Sequence, residues 1–321
     1  MSERERVRTV LFGVGAMGRN HARVLRQSRD LFLAGIVEPD PDRAAALAAE
    51  LDVPTWRQFD DCTVALEAAV IATPTATHEE IASDCFKRGL HVLVEKPIAH
   101  DLPTAARMVN EARSAQRLLM VGHIERFNAA VMALPQFLDD PIHFSCQRVG
   151  PYDPRILDGI ILDLMIHDLD IVRHLTKMSA VANGAVAVAL HGRREDHATA
   201  SMTFGKRISA SFVASRVGQN KIRTIEIAQP TNSISVDLVR QDITIQTVES
   251  VDYSGPDNTL RQRGLLEIPF IERSGQPLAA ELAHFAACIR GEATCIAPGD
   301  DGLAALEMVR SIELLATTIQ R

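Results

Sequence analysis

The residues best spaced for chemistry begin at Gly13-Val14-Gly15-Ala16-Met17-Gly18. Each glycine in this pattern has a mechanical job. Gly13 suits a tight turn, Gly15 lets backbone approach a pyrophosphate, and Gly18 lets a helix pack closely on a strand. Glu38 stands 20 residues after Gly18, where a carboxylate accepts hydrogen bonds from an adenosine ribose and repels a 2′-phosphate. NAD is therefore the expected cofactor, in preference to NADP. Farther along, Asp163 and His167 are four apart, hence neighbours on one face of a helix. A carboxylate so placed orients the imidazole and raises its pKa, which suits a general base near neutral pH. Lys96 adds a cation able to hydrogen-bond a hydroxyl or its developing alkoxide. Oxidation of an alcohol by NAD needs a proton acceptor, a hydride path and alkoxide stabilisation, and Lys96, Asp163 and His167 supply these roles.

Periodicity gives the elements that must hold these groups. An apolar run ends at Phe12, helix formers continue from the glycines to Arg26, and a second apolar run over 31–37 ends in Glu38. Pro39-Asp40-Pro41 opens a helix over 42–51, and a weak strand follows near 53–56. A buried parallel strand over 68–72 leads into Thr73-Pro74-Thr75-Ala76-Thr77-His78 and a helix ending at Gly89. The strand 91–94 stops at Glu95-Lys96-Pro97; a helix over 103–116 and a strand over 118–121 close the alternation at Gly122. This pattern predicts a doubly wound parallel sheet, of Rossmann type, over 1–122. Ligands of such sheets sit beyond the carboxyl ends of the strands, where Gly13, Glu38, Thr73 and Lys96 fall.

Over 123–321 the pattern changes to an α+β domain. A helix over 160–177 places Asp163, His167, Asp170 and His174 within about 60° of one another, with Asp168 the exception among apolar neighbours. Period-two segments follow, including 186–190, 200–204, 208–212, 225–227, 234–238 and 243–245, and predict a large, mainly antiparallel sheet with one face buried. Its other face carries Thr199, Ser201, Thr203, Ser209, Ser211, Ser233 and Ser235, which suit either solvent or a flat subunit interface. Helices over 278–289 and 303–319 end the domain.

Composition bounds the partners. The 321 residues are 46% hydrophobic and 23% charged, the balance of a soluble globular protein of about two domains. A net charge of −7 without any Lys/Arg block argues against nucleic acid as the main partner. Cys62, Cys85, Cys146, Cys288 and Cys295 are dispersed without a C-x-x-C pair, which fits a reduced, cytoplasmic protein. Neither these cysteines nor His21, His91, His123 and His174 have the spacing of a metal site, so no metal is expected. A charged start running into the first strand and the lack of any membrane-length apolar run predict no signal peptide and no membrane span.

From Val7 to the last helix, the combination of the glycine motif, Thr73-Pro74-Thr75-Ala76-Thr77-His78, Glu95-Lys96-Pro97 and Asp163-Leu164-Met165-Ile166-His167-Asp168 resembles the glucose-fructose oxidoreductase / inositol dehydrogenase / rhizopine catabolism family. The resemblance implies a Rossmann domain followed by an open-faced α/β domain, assembled through that sheet as a homodimer or homotetramer. It implies Lys96 and His167 at the reacting hydroxyl with Asp163 in support. It also implies Ala16, Met17, Thr73, Pro74, His78, Glu95 and Pro97 beside the cofactor.

Within the family, Gly122-His123-Ile124-Glu125-Arg126-Phe127-Asn128, Arg148-Val149-Gly150-Pro151-Tyr152-Asp153-Pro154-Arg155 and the segment around Asp163 look like the UDP-N-acetylglucosamine 3-dehydrogenase branch. That likeness implies oxidation at C3 of a UDP-linked amino sugar, with Arg126, Asn128, Arg148, Tyr152 and Arg155 at the substrate. Arg148 and Arg155 flank a proline-punctuated loop and could grip a diphosphate bidentately, or serve only as surface arginines. Inositol dehydrogenases usually carry a glycine pair and an aromatic before the aspartate, where this chain reads Gly159-Ile160-Ile161-Leu162. Two other readings stay open: an inositol or free-sugar dehydrogenase, and a non-catalytic sensor that binds NAD and a ligand.

Overall fold

The computed structural model of the chain describes residues 6–320 apart from 155, 157, 193, 255–258 and 274, with backbone only for 252–254 and 259–262. The first elements are β1 (Val7–Phe12), α1 (Ala16–Gln27), β2 (Leu31–Val37), α2 (Pro41–Leu51), β3 (Thr55–Trp56), β4 (Ala68–Ile71), α3 (His78–Lys87), β5 (His91–Glu95), α4 (Leu102–Ser114) and β6 (Leu119–Gly122). They are followed by α5 (Ala129–Ala133), β7 (His143–Val149), a π-helical turn (Ile161–Met165), α6 (Ile166–Thr176), β8 (Ala180–Ala189), β9 (His197–Phe204), β10 (Ile208–Ser215), β11 (Ile222–Ala228), β12 (Asn232–Asp237), β13 (Asp242–Ser254), β14 (Thr259–Glu267), α7 (Pro277–Ile289), α8 (Gly299–Leu315) and β15 (Ala316–Gln320).

These elements form two compact units. One holds Met1–Phe127 with Gly275–Leu306, the other Asn128–Ser274 with Glu307–Arg321. The first is built on a wholly parallel sheet in the order β3-β2-β1-β4-β5-β6. Its central strands are buried on both faces, as Ala68, Ala69, Val70 and Ile71 of β4 show, which is why they read as continuous apolar runs. Polar side chains cap α2 and α4. Asp40 accepts the Asp42 and Arg43 N–H groups ahead of α2, and Asp101 accepts that of Thr104 ahead of α4. The unit is not the contiguous 1–122 expected from the sequence. Leu278, Leu282, Phe285 and Ala286 of α7, with Ala297, share one core with Leu25, Leu31 and Phe127, so the chain comes back late to finish its first unit.

The second unit is built on a nine-stranded sheet in the order β14-β13-β12-β11-β7-β10-β9-β8-β15. It is mainly antiparallel, with two parallel pairs, β7 with β10 and β8 with β15. Phe144, Cys146, Phe204, Phe212, Ile225, Ile234 and Ile243 fill the covered face, while Ser201, Ser209 and Ser233 are exposed on the other. Three expectations change here. β7 and β14 join the sheet unannounced, the final helix stops at Leu315 so that residues 316–320 form a strand, and the helix expected over 160–177 opens with a π turn.

Candidate active site

The carboxyl ends of β1, β2 and β4 surround a cavity of about 760 Å³ in the first unit. Gly13, Gly15, Glu38, Thr73 and Pro74 line it together, as their positions at strand ends require. Gly13 takes φ +83°, which β-carbon-bearing residues avoid, and a Cβ there would press to 2.8 Å from the Ala72 carbonyl oxygen. On Gly18 a Cβ would lie 2.1 Å from the Gly13 carbonyl oxygen, so the first turn of α1 closes directly on the loop. At Gly15 a Cβ would meet nothing within 4 Å, and backbone there faces open space. Ala16 and Met17 begin α1, whose first N–H groups and positive dipole end suit a phosphate. Turn, open backbone and close packing fall on the three glycines in the order a dinucleotide pyrophosphate requires.

Glu38 is 6% exposed and anchored by backbone: its Oε2 accepts the Val14 N–H at 3.0 Å and its Oε1 that of Asp40 at 3.1 Å. Arg43, Arg57, Gln58 and Phe59, which sequence reasoning passed over, also line the cavity. Phe59 stands edge-on to Phe12 at 4.9 Å and lies under the Arg88 guanidinium. An aromatic just past β3 in a chain of only 4% aromatics was the available signal.

His78, Glu95 and Pro97 stand behind the cavity rather than among its lining residues. The His78 ring lies between the Thr73 carbonyl at 3.0 Å and those of Pro97 and Ile98 at 3.1 and 3.3 Å, tying the loop after β4 to the loop after β5. Burial outweighs these hydrogen bonds and lowers the His78 pKa, so the ring is neutral and donates one hydrogen bond at a time. Lys96 is half-buried at the end of β5, and the Lys96-Pro97 peptide is cis. Burial pushes the Glu95 carboxyl up, but the His21 hydrogen bond and charge and the Lys96 charge more than offset it and hold the group below its ordinary range.

In the second unit the π turn carries Asp163 and α6 carries His167, both half-buried. Ile160 donates its N–H to the Glu195 carbonyl at 3.1 Å, which fixes the start of this turn, and single π turns often mark functional sites. The polar stripe read from the sequence is not uniformly open, since Asp170 is 1% exposed. Asp168, the exception on the apolar side, is explained by a buried partner: Arg148 reaches it through Nε at 3.1 Å and Nη2 at 2.7 Å. Of the two roles left open for Arg148, a diphosphate grip or a surface arginine, the second fails because the side chain is buried, and its guanidinium grips Asp168 bidentately.

Beside Asp163 lies a cavity of about 470 Å³ bordered by Arg148, Tyr152, Arg216, Lys221 and Arg223. Tyr152 stacks on His191 at 4.0 Å. Lys221 and Arg223 were missed, although they continue the parity of Ile225 and Ile227 and so emerge where the covered face of β11 loses its apolar row. Arg155 lies outside the described residues. Arg126 and Asn128 are buried and occupied locally: Arg126 pairs with Asp301 at 2.6 Å and the Ile296 carbonyl, and Asn128 caps α5 while donating to the Leu238 carbonyl at 2.8 Å. Both are therefore set apart from the substrate-binding role expected of them.

This architecture has known relatives. Residues 7–123 match the family described as "Oxidoreductase family, NAD-binding Rossmann fold", and residues 119–234 match the GFO/IDH/MocA C-terminal domain. The chain is 35% identical over 241 residues to UDP-N-acetylglucosamine 3-dehydrogenase of Acidithiobacillus ferrooxidans, covering 74% of this chain and 76% of that protein. It is 26% identical over 329 residues to inositol 2-dehydrogenase of Rhizobium meliloti, covering 95% and 97%. The solved structure of the Acidithiobacillus ferrooxidans enzyme superposes with a TM-score of 0.86 at 30% identity, covering 97% of this chain and 98% of that one. With strand-turn-helix glycines, an NAD-type acid directly after β2 and both family domains in order, the chain belongs to the GFO/IDH/MocA oxidoreductase family and is an NAD-dependent oxidoreductase acting on CH–OH groups.

Proposed function

We propose that this dehydrogenase oxidises the 3-hydroxyl of a UDP-linked N-acetyl amino sugar to a ketone. The observation that carries this reading is the cavity beside Asp163, whose border combines the aromatic Tyr152 with the cations Lys221 and Arg223. A sugar alone needs no such cations, whereas a nucleoside diphosphate carries negative charge for them to meet. The 35% identity to a UDP-N-acetylglucosamine 3-dehydrogenase supports the same substrate class. His167 accepts the hydroxyl proton, Asp163 supports the imidazolium that results, and Lys96 hydrogen-bonds the oxygen as it becomes an alkoxide. Bound NAD supplies the acceptor for the hydride leaving the carbon, so that the C–H and O–H bonds break and C=O forms. The open face of the second sheet is the subunit interface of a homodimer or homotetramer, and the cytoplasm is the place of action. Among the described residues no helix is long and apolar enough to cross a membrane.

The test is absorbance of NADH while protein and NAD are offered UDP-N-acetylglucosamine, other UDP-sugars, myo-inositol and free hexoses, beside Lys96→Met. Reduction is expected with a UDP-amino sugar. Lys96→Met is expected to lose at least about 100-fold in rate with NADH affinity retained. Reduction with inositol or a hexose alone would replace the substrate, and lost NADH binding in Lys96→Met would remove the catalytic role of the lysine.

A further inference from the structure

Behind Lys96 lies a buried cluster that the proposed chemistry does not use. Glu95 ends β5 one residue before the lysine and is 7% exposed. Its carboxylate accepts a hydrogen bond from His21 Nε2 at 2.7 Å and from the Lys96 backbone N–H at 3.2 Å. Gly122, opposite Glu95 on β6, makes room for it, since a Cβ there would come to 3.0 Å from Glu95 Oε2. Glu281 of α7 completes the cluster. It is fully buried, it has apolar Leu278, Leu282 and Phe285 as neighbours along its helix, and one carboxyl oxygen lies within 4.8 Å of ligand atoms of both Glu95 and His21. Neither Glu281 oxygen has a direct hydrogen-bond partner among the described residues.

We propose that Glu281 is a positioning residue for Lys96: it backs the Glu95 carboxylate and so fixes the main chain from which the lysine projects. This rests on the reading of Lys96 as the group that polarises the reacting hydroxyl. An ionised carboxylate in this setting would face desolvation without a partner and a second negative charge beside it, so Glu281 is a neutral acid. Burial first and the charge of Glu95 second hold its pKa well above the ordinary carboxyl range. The cluster of Glu95, Glu281 and His21 therefore sets one carboxylate, not two, behind Lys96, and the neutral acid supplies a donor dipole beside it.

The experiment compares full-length wild type with Glu281→Leu and Glu281→Gln. Glu281→Leu is expected to lower kcat about tenfold with the KM values for NAD and sugar within about twofold, and Glu281→Gln, which keeps a neutral donor, to restore kcat within about twofold. The pH profile of Lys96 acylation, read by mass spectrometry without any substrate, is expected to shift in the Leu variant and not in the Gln variant. Infrared spectroscopy is expected to show a protonated-carboxyl C=O band in wild type that both variants lack. A carboxyl whose native pKa is raised above its unfolded value loses its stabilising effect as pH rises from about 4.3 toward the native pKa. The Tm advantage of Glu281→Gln over wild type should accordingly widen across that interval. Wild-type kcat and an unmoved Lys96 profile in Glu281→Leu would overturn the proposal, as would a Gln variant as impaired as Leu, a missing infrared band, or a kcat loss matched by a lower Tm. An inactive wild type would overturn the catalytic reading alone, leaving the acylation profile, infrared band and Tm to decide the role of Glu281.

Discussion

Glu38 uses one carboxylate for two purposes. By accepting the Val14 and Asp40 N–H groups it fixes the turn that holds the glycine loop, and it lines the cavity, where we propose that it also accepts hydrogen bonds from the adenosine ribose. A charge-assisted hydrogen bond is worth about 1.5–3 kcal/mol, so Glu38→Ser should weaken NADH binding about 10- to 100-fold. The same change removes the repulsion on a 2′-phosphate while Arg43 and Arg57 remain on the cavity wall, so NADPH should lose far less. Fluorescence titration with both nucleotides checks this; an unchanged preference would move discrimination away from Glu38. The acid itself was legible from its spacing to Gly18, because ribose recognition ties that distance to one strand and one helix. Arg43 and Arg57 were not, because they sit on an exposed helix face and a loop that only the cavity brings together.

The junction of β1 and α1 is closed by close contact as well as by polar bonds. With a Cβ on residue 18 placed 2.1 Å from the Gly13 carbonyl, Gly18→Ala must push helix and loop apart, at about 2–3 kcal/mol. Thermal unfolding should show this loss, and NADH binding should fall with it; a fully stable, fully binding Gly18→Ala would mean that the loop gives way freely. Parallel strands were readable here because burial on both faces leaves uninterrupted apolar runs. β7 was hidden for the opposite reason: after Phe144 and Cys146 its third inward residue is Arg148, whose charge is met by Asp168, 20 residues on. The last strand was hidden because residues 316–320 follow a leucine-rich helix without glycine or proline between them, so helical periodicity ran on past Leu315. The Asp163/His167 pair was visible at four-residue spacing, yet the π turn beneath Asp163 leaves no trace in composition.

On the scale of the whole molecule, the open face of the nine-stranded sheet, proposed as the subunit interface, can be tested. Ser201 and Ser233 are exposed there, and Ser209 and Ser211 hydrogen-bond the His143 ring across β7 and β10, giving a flat surface of short side chains. Sedimentation should find a dimer or tetramer, and the double change Ser201→Arg with Ser233→Arg should yield smaller species by placing like charges in the interface. A monomeric wild type would refute the interface. The two-part make-up of the first unit reaches further, into how the protein comes to exist. When the ribosome has released only the first 127 residues, Arg126 has not yet met Asp301, Val121 lacks the Ala297 carbonyl, and the core still waits for Leu282 and Phe285. Vectorial synthesis, which lets many multidomain proteins mature one domain after another, cannot do so here. The nucleotide-binding unit must stand incomplete while eight of the nine strands, β7 to β14, are translated, and the nascent chain carries that exposed, half-built core as its period of greatest need for chaperone protection.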